Sequence, residues 1–229
     1  SPHIHSNESV SRIMLDVVLA LIPAGIVAAL VFGWRVLLVI GTAVLFAVLT
    51  EALIQKLTKQ PVTINDWSAV ITGILLAYNL PPTAPLWLAA IGSIIAIALV
   101  KQAFGGLGQN FMNPALAARA ILLAAWPVQM TDWLIPGTTI LSWDITASAT
   151  ASATAVDALS GATPLAVLSS GAGVEALPSF WDILIGNIGG CIGEVSSLAL
   201  LIGAIYLLYR RVISWRIPLT YIGTVALLT

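Results

Sequence analysis

The run IMLDVVLALIPAGIVAALV, Ile13 to Val31, decides the fold class. It is 19 residues long with one charge, Asp16, and at about 1.5 Å of helical rise per residue it matches the roughly 30 Å hydrocarbon core of a bilayer. The run is longer than the apolar stretch of a cleaved signal peptide, and a second apolar run, Val36 to Leu49, follows after a turn at Gly33-Trp34-Arg35. The pair reads as an antiparallel hairpin of membrane helices. Further runs are Ala69 to Leu80, Leu86 to Val100, Ala115 to Trp126, Ile183 to Tyr209 with a glycine-rich break, and Ile217 onward. Ala69 to Leu80 stops at Pro81-Pro82, which predicts a half-span.

Composition agrees. Of 229 residues, 59% are hydrophobic and 8% charged, and the mean hydropathy is +1.01; soluble domains carry about 25% charged residues. Nine Lys and Arg balance ten Asp and Glu, so the chain lacks the basic field that nucleic acid requires. The one cysteine, Cys191, forms no intrachain disulfide and supplies no zinc or iron–sulfur site by itself. A start at Ser1 and a stop within the run from Ile217 predict a piece of a longer membrane protein. The fold class expected is an all-α polytopic bundle with broken helices.

Positive residues are retained on the cytoplasmic side. With the N-terminus cytoplasmic, the turns on that side carry Lys56, Lys59, Lys101, Arg210, Arg211 and Arg216, and the opposite side carries Arg35 alone. The segment from Val128 to Phe180 holds Asp132, Asp144, Asp157 and Glu175 without any Lys or Arg, and is expected outside the cytoplasm. Seven of the eight tryptophans, Trp34, Trp67, Trp87, Trp126, Trp133, Trp181 and Trp215, lie near ends of apolar runs, where indole prefers the headgroup zone. This divides the chain into a first helical repeat (1–127), a non-cytoplasmic segment (128–180) and the start of a second repeat (181–229). The tract TASATASATA, Thr146 to Ala155, has no side chain large enough to build a core and reads as a loop without an assigned role.

Four charged residues lie in or beside the spans: Asp16, Glu51, Arg119 and Glu194. A central charge costs about 2.5 to 3.5 kcal/mol on insertion scales, so each needs a partner, a protonation change or water. Asp16 and Glu51 lie near helix ends, where snorkelling to the interface is the plainer expectation, yet with Glu194 they are also candidates for an ion pathway. Arg119 lies deeper and is expected to pair with a carboxylate or to receive an anionic or carbonyl group. Two stretches share several glycines followed by polar residues: GGLGQNFMNP, Gly105 to Pro114, and GNIGGCIGE, Gly186 to Glu194. Paired breaks of this kind mark central sites in transporter-like folds. Plain packing through small residues explains the glycines but not Gln109, Asn110, Asn113 and Glu194. Asn110 and Asn113 are spaced to face one ligand, and Asn113-Pro114 also suits a helix cap followed by proline at the first helical position.

The segment Asp157-Ala158-Leu159-Ser160-Gly161-Ala162-Thr163-Pro164-Leu165 has a local reading of its own, with Thr163 as cap and Pro164 opening a short helix through Ser169. It also resembles the Asp-x-x-Ser-Gly-Ala-Thr signature at which a flavin transferase attaches FMN to threonine in the family that joins the D subunits of Rnf complexes to the B subunits of sodium-pumping NADH:quinone oxidoreductases. Ser1-Pro2-His3-Ile4-His5, Gly108 to Ala115 and Gly189 to Glu194 resemble segments of the same family, in the same order. The opening SPHIHS favours the Rnf branch.

The resemblance implies FMN on Thr163, with Asp157, Ser160, Gly161 and Ala162 as recognition residues for the transferase. A helix N-terminus at Pro164 would suit the phosphodiester anion. It implies a second, noncovalent flavin, riboflavin, near the cytoplasmic side, with Asn110, Asn113 and Arg119 as contacts. It further implies a scaffold of inverted repeats resembling urea transporters, residence in the bacterial inner membrane, and a role relaying electrons between reduced ferredoxin and NAD coupled to sodium or proton movement. The implied partners are the A, B, C, E and G proteins of the Rnf complex, above all the flavinylated G protein. Two other readings stand beside it, a quinone-reducing protein of the B type and a passive channel or permease.

Overall fold

The computed structural model describes residues 9–134, 163–169 and 177–228. The first hairpin is α1, Val10–Phe32, and α2, Arg35–Leu57. Ser9 caps α1 by accepting from the Arg12 N–H, and Gly33, at φ 88°, turns the chain out of it. α2 runs eight residues past the apolar stretch that announces it, so Arg35 is its first residue and Glu51 and Gln55 lie inside its last turns.

α3, Ser68–Tyr78, has 11 residues and spans about 16 Å, half a bilayer. The half-span expected from Pro81-Pro82 is therefore present. α4, Leu86–Ile95, passes without interruption into a π-helical stretch, Ala96–Lys101, and a short 3₁₀ turn, Gln102–Phe104. With α1 and α2 it is the third helix long and apolar enough to cross a membrane. α5, Pro114–Ala125, is followed by the single turns α6, Pro127–Met130, α7, Pro164–Ser169, and α8, Phe180–Ile185. The break after α8 precedes α9, Ser197–Tyr209, and α10, Arg216–Leu228. The described residues contain no regular β-strand. The expected all-α membrane architecture holds.

Water supplies no drive for helix association inside a bilayer, so close packing through small residues has to serve. The buried face of α1 steps by four through Asp16, Ala20, Ala24, Ala28 and Phe32, and that of α2 through Val39, Ala43, Ala47, Glu51 and Gln55. α3 and α4 both lie against α2, and α9 lies against α1. At Gly73 a Cβ would meet the Val44 Cα at 2.7 Å, so the backbones of α2 and α3 touch, and at Gly203 a Cβ would collide with the Ala20 carbonyl. Phe32, Leu76, Leu88 and Leu122 fill the centre, while Leu30, Leu45, Leu53 and most of α10 face outward, as lipid-facing side chains do. Trp34, Trp87, Trp181 and Trp215 are exposed at helix ends, in keeping with the expected aromatic belt.

The tract 146–155, the recognition residues Asp157, Ser160, Gly161 and Ala162, and the SPHIH opening lie outside the described residues.

Candidate functional site

The polar side chains of the bundle gather in three places. The first lies where α2, α3 and the π-helical end of α4 converge. Lys101 Nζ donates to both oxygens of Glu51, at 2.9 and 2.7 Å, and to Ser68 Oγ at 2.6 Å. Gln102 Nε2 adds a bond to Glu51 Oε1 at 2.9 Å, and Gln55 Nε2 reaches the same oxygen at 3.3 Å. Gln55 also exchanges bonds with Thr63, and Asp66 Oδ1 accepts from the Ser68 N–H and hydroxyl. The two charged side chains are each 2% exposed. A π-helical turn carries one extra residue per turn, and such turns occur at functional places; here it delivers Lys101 into the interior. Two expectations are corrected. Glu51 does not snorkel, and Lys101 is no loop charge, because each desolvated ion is stabilised by the other.

The second place joins the two helix breaks. The chain after α3 leaves helical geometry at membrane depth, where bare carbonyls are costly. The Gly186 to Glu194 stretch supplies their donors: the Ile192 N–H bonds to Leu80 O at 3.0 Å and the Gly193 N–H to Tyr78 O at 2.9 Å. A Cβ on Gly193 would lie 2.6 Å from the Tyr78 Cβ, so glycine is needed for this approach. Arg119, one and a half turns into α5, donates to Asn79 Oδ1 at 2.9 Å and to Cys191 Sγ at 3.5 Å. It thus meets the amide oxygen of Asn79 and a thiol within the protein, and no carboxylate pairs with it among the described residues. Glu194 is exposed at the rim of this junction.

The third place ties α1 to α9. Asp16 accepts from Arg210 Nε and Nη2 at 3.1 and 3.0 Å and from the Tyr206 hydroxyl at 2.8 Å. Its side chain is 8% exposed, so Asp16 does not snorkel either; Arg210 comes to it from the end of the facing helix.

The asparagines have local duties. Asn113 caps α5 by accepting from the Ala115 and Leu116 N–H groups, and Pro114 occupies the first helical position as the sequence predicts. The Asn110 amide, turned with its nitrogen toward the carbonyls, donates to Lys101 O and Gly106 O, both at 3.1 Å. The two side chains serve separate backbone groups. Gly105, Gly106 and Gly108 all have positive φ, which makes the turn that Asn110 pins. Thr163 accepts from the Ala166 N–H at 3.2 Å at the start of α7, with Leu165 and Leu168 exposed beyond it. The short helix from Pro164 through Ser169 is the one the sequence predicts.

Lys101, read from the sequence only as a turn cation, and Gln55, Ser68, Asn79 and Tyr206 were not recognised as site residues. A signal existed for the first two: Gln55 continues the four-residue step of the α2 face, and Lys101 follows Ala89, Ser93 and Ile97 at the same step. Asn79 and Tyr206 carried no comparable signal.

Fold and sites together define a polytopic all-α membrane protein in which broken helices close on one another and the buried carboxylates Glu51 and Asp16 are each paired with a cation. Comparison with known proteins narrows this. The chain belongs to the NQR2, RnfD, RnfE family, which matches residues 1–229. It is 51% identical over 229 residues to the D protein of the Na(+)-translocating ferredoxin:NAD(+) oxidoreductase complex of Acetobacterium woodii, covering 99% of this chain and 66% of that protein. It is 42% identical to the D protein of the proton-translocating ferredoxin:NAD(+) oxidoreductase complex of Clostridium ljungdahlii, over 100% of this chain and 67% of that protein. It is 41% identical to the D protein of the ion-translocating oxidoreductase complex of Escherichia coli, over 99% and 70%. The chain thus spans about two thirds of the length of these relatives.

Proposed function

We propose that this chain is the D-type membrane component of an Rnf-type complex, passing electrons between reduced ferredoxin and NAD in a process coupled to sodium or proton movement. Identity over the whole chain to components of ferredoxin:NAD(+) oxidoreductase complexes supports this. The observation that supports the cofactor reading is Thr163 itself: the residue that completes the Asp157 to Thr163 signature stands at the start of a short helix whose Leu165 and Leu168 are exposed, with its hydroxyl accepting from the Ala166 N–H. FMN joined through a phosphodiester to that hydroxyl would supply one- and two-electron carriage. Pro164 biases Thr163 toward the extended region, which would favour presenting its side chain to a flavin transferase.

Riboflavin is proposed on the cytoplasmic side. Asn113 uses only its Oδ1 in the cap, which leaves its amide hydrogens for a flavin carbonyl. Arg119 at the junction of the two breaks is the other candidate donor. Glu51, Asp16 and Glu194 remain the carboxylates proposed for ion movement. The inverted-repeat scaffold, inner-membrane residence, a cytoplasmic N-terminus and contact with the A, B, C, E and G proteins of the complex belong to the same proposal.

The test is in-gel flavin fluorescence of the denatured full-length protein made with an active flavin transferase, with intact mass, beside Thr163→Ala. Fluorescence and an FMN mass increment in the parent, both lost in the variant, are expected. A dark, unmodified parent overturns the flavin reading and turns attention to the permease.

A further inference from the structure

Among the described residues, Arg35 is a buried charge that the proposed function leaves without a role. It is 6% exposed, at the first position of α2. Its Nη2 donates to Ala84 O at 3.0 Å, and its Nε is buried without any hydrogen-bond partner. Among the described residues no carboxylate forms an ion pair with it. Asp132 is the acidic group whose charge it senses, but Asp132 stays beyond ion-pair distance, and its backbone carbonyl accepts from Thr83 Oγ1 at 2.8 Å. Glu51 and Asp16 each have a cation; Arg35 has one neutral carbonyl for five donors. A desolvated guanidinium in that state calls for an anion, and its planar fork suits the paired oxygens of a phosphate.

Location narrows the choice. Arg35 lies where α1 and α2 meet, next to the exposed Trp34, at the depth of lipid headgroups. Arg35 donates to the Ala84 carbonyl, and the adjacent Thr83 hydroxyl donates to the Asp132 carbonyl, so residues 83–84 and 132 lie near it. We infer that Arg35 is a binding site for a phosphodiester monoanion. Two sources carry that group: a phospholipid headgroup, and the flavin tether on Thr163, the latter resting on the flavin reading above.

The experiment is solid-state ¹⁵N–³¹P distance measurement on the full-length protein with ¹⁵N-labelled arginine side chains, in phosphatidylglycerol nanodiscs. The parent is compared with Arg35→Lys and with Thr163→Ala, and intact mass reports flavin on each sample. An arginine–phosphorus coupling present in the parent and lost in Arg35→Lys is expected. Its survival in Thr163→Ala names the lipid, and its loss there names the flavin tether. An unmodified parent that still shows the coupling removes only the flavin source. Equal coupling in parent and Arg35→Lys overturns the inference. Should Arg35→Lys fail to fold, Thr163→Ala in maltoside micelles, which hold no phosphodiester, serves as the zero. If neither flavinylated protein in maltoside nor Thr163→Ala in phosphatidylglycerol adds a coupling on a solvent-protected Nε, the site is rejected.

Discussion

At the scale of the residue, the Glu51–Lys101 pair is the clearest case of interdependence. Each side chain is 2% exposed, and three further groups, Ser68, Gln102 and Gln55, complete the bonding. Removing one partner leaves a buried charge without compensation, which costs about 3 to 5 kcal/mol, whereas removing both charges together is close to neutral. Glu51→Gln is therefore expected to lower the thermal unfolding midpoint in detergent sharply, and Glu51→Gln with Lys101→Met to recover most of the loss. A double variant no better than the single one would show that the lost stability belongs to the wider hydrogen-bond network rather than to the ion pair.

At the scale of the element, half-helices and glycines govern the arrangement. α3 stops at Asn79 because Pro81-Pro82 cannot continue it, and its open carbonyls are met by Ile192 and Gly193, more than a hundred residues later. α1 and α9 approach until their backbones touch at Ala20 and Gly203, which brings Asp16 within reach of Arg210 and Tyr206. Gly203→Leu has nowhere to place its side chain, and overpacking of this kind costs about 1 to 3 kcal/mol. Gly41, with nothing within 4 Å of its Cβ position, accepts alanine without loss. Unfolding midpoints of Gly203→Leu and Gly41→Ala should fall on opposite sides of that contrast, and a tolerated Gly203→Leu would mean that α9 does not dock on α1 in the membrane.

At the scale of the molecule, orientation follows from which cations are left in the loops. Lys101 and Arg35 are buried and leave the count, and Arg210 is bound to Asp16. Lys56, Lys59, Arg211 and Arg216 are exposed, and all belong to the end proposed as cytoplasmic. In the proposed orientation the opposite side carries only the buried Arg35. Cys191 is buried, so single cysteines introduced elsewhere report cleanly with a membrane-impermeant maleimide. In intact cells stripped of outer barriers, Leu165→Cys should label at once and Lys59→Cys only after permeabilisation. Labelling of both from one side would overturn the orientation.

The sequence by itself determined the membrane class, the positions of the spans and of the half-span, the caps at Asn113 and Thr163, and the family, because apolar run length, proline placement and a contiguous motif are local properties. The four-residue rows that bury Asp16 and Glu51 were also written there, as continuations of alanine faces. Only the tertiary structure decided who meets those charges. Lys101 arrives 50 residues after Glu51 and Arg210 194 residues after Asp16, and Arg119 finds Asn79 and Cys191 because two helix breaks satisfy each other's backbone. Such pairings depend on how helices rotate and approach in the absence of water, and that is fixed by contacts far apart in the chain.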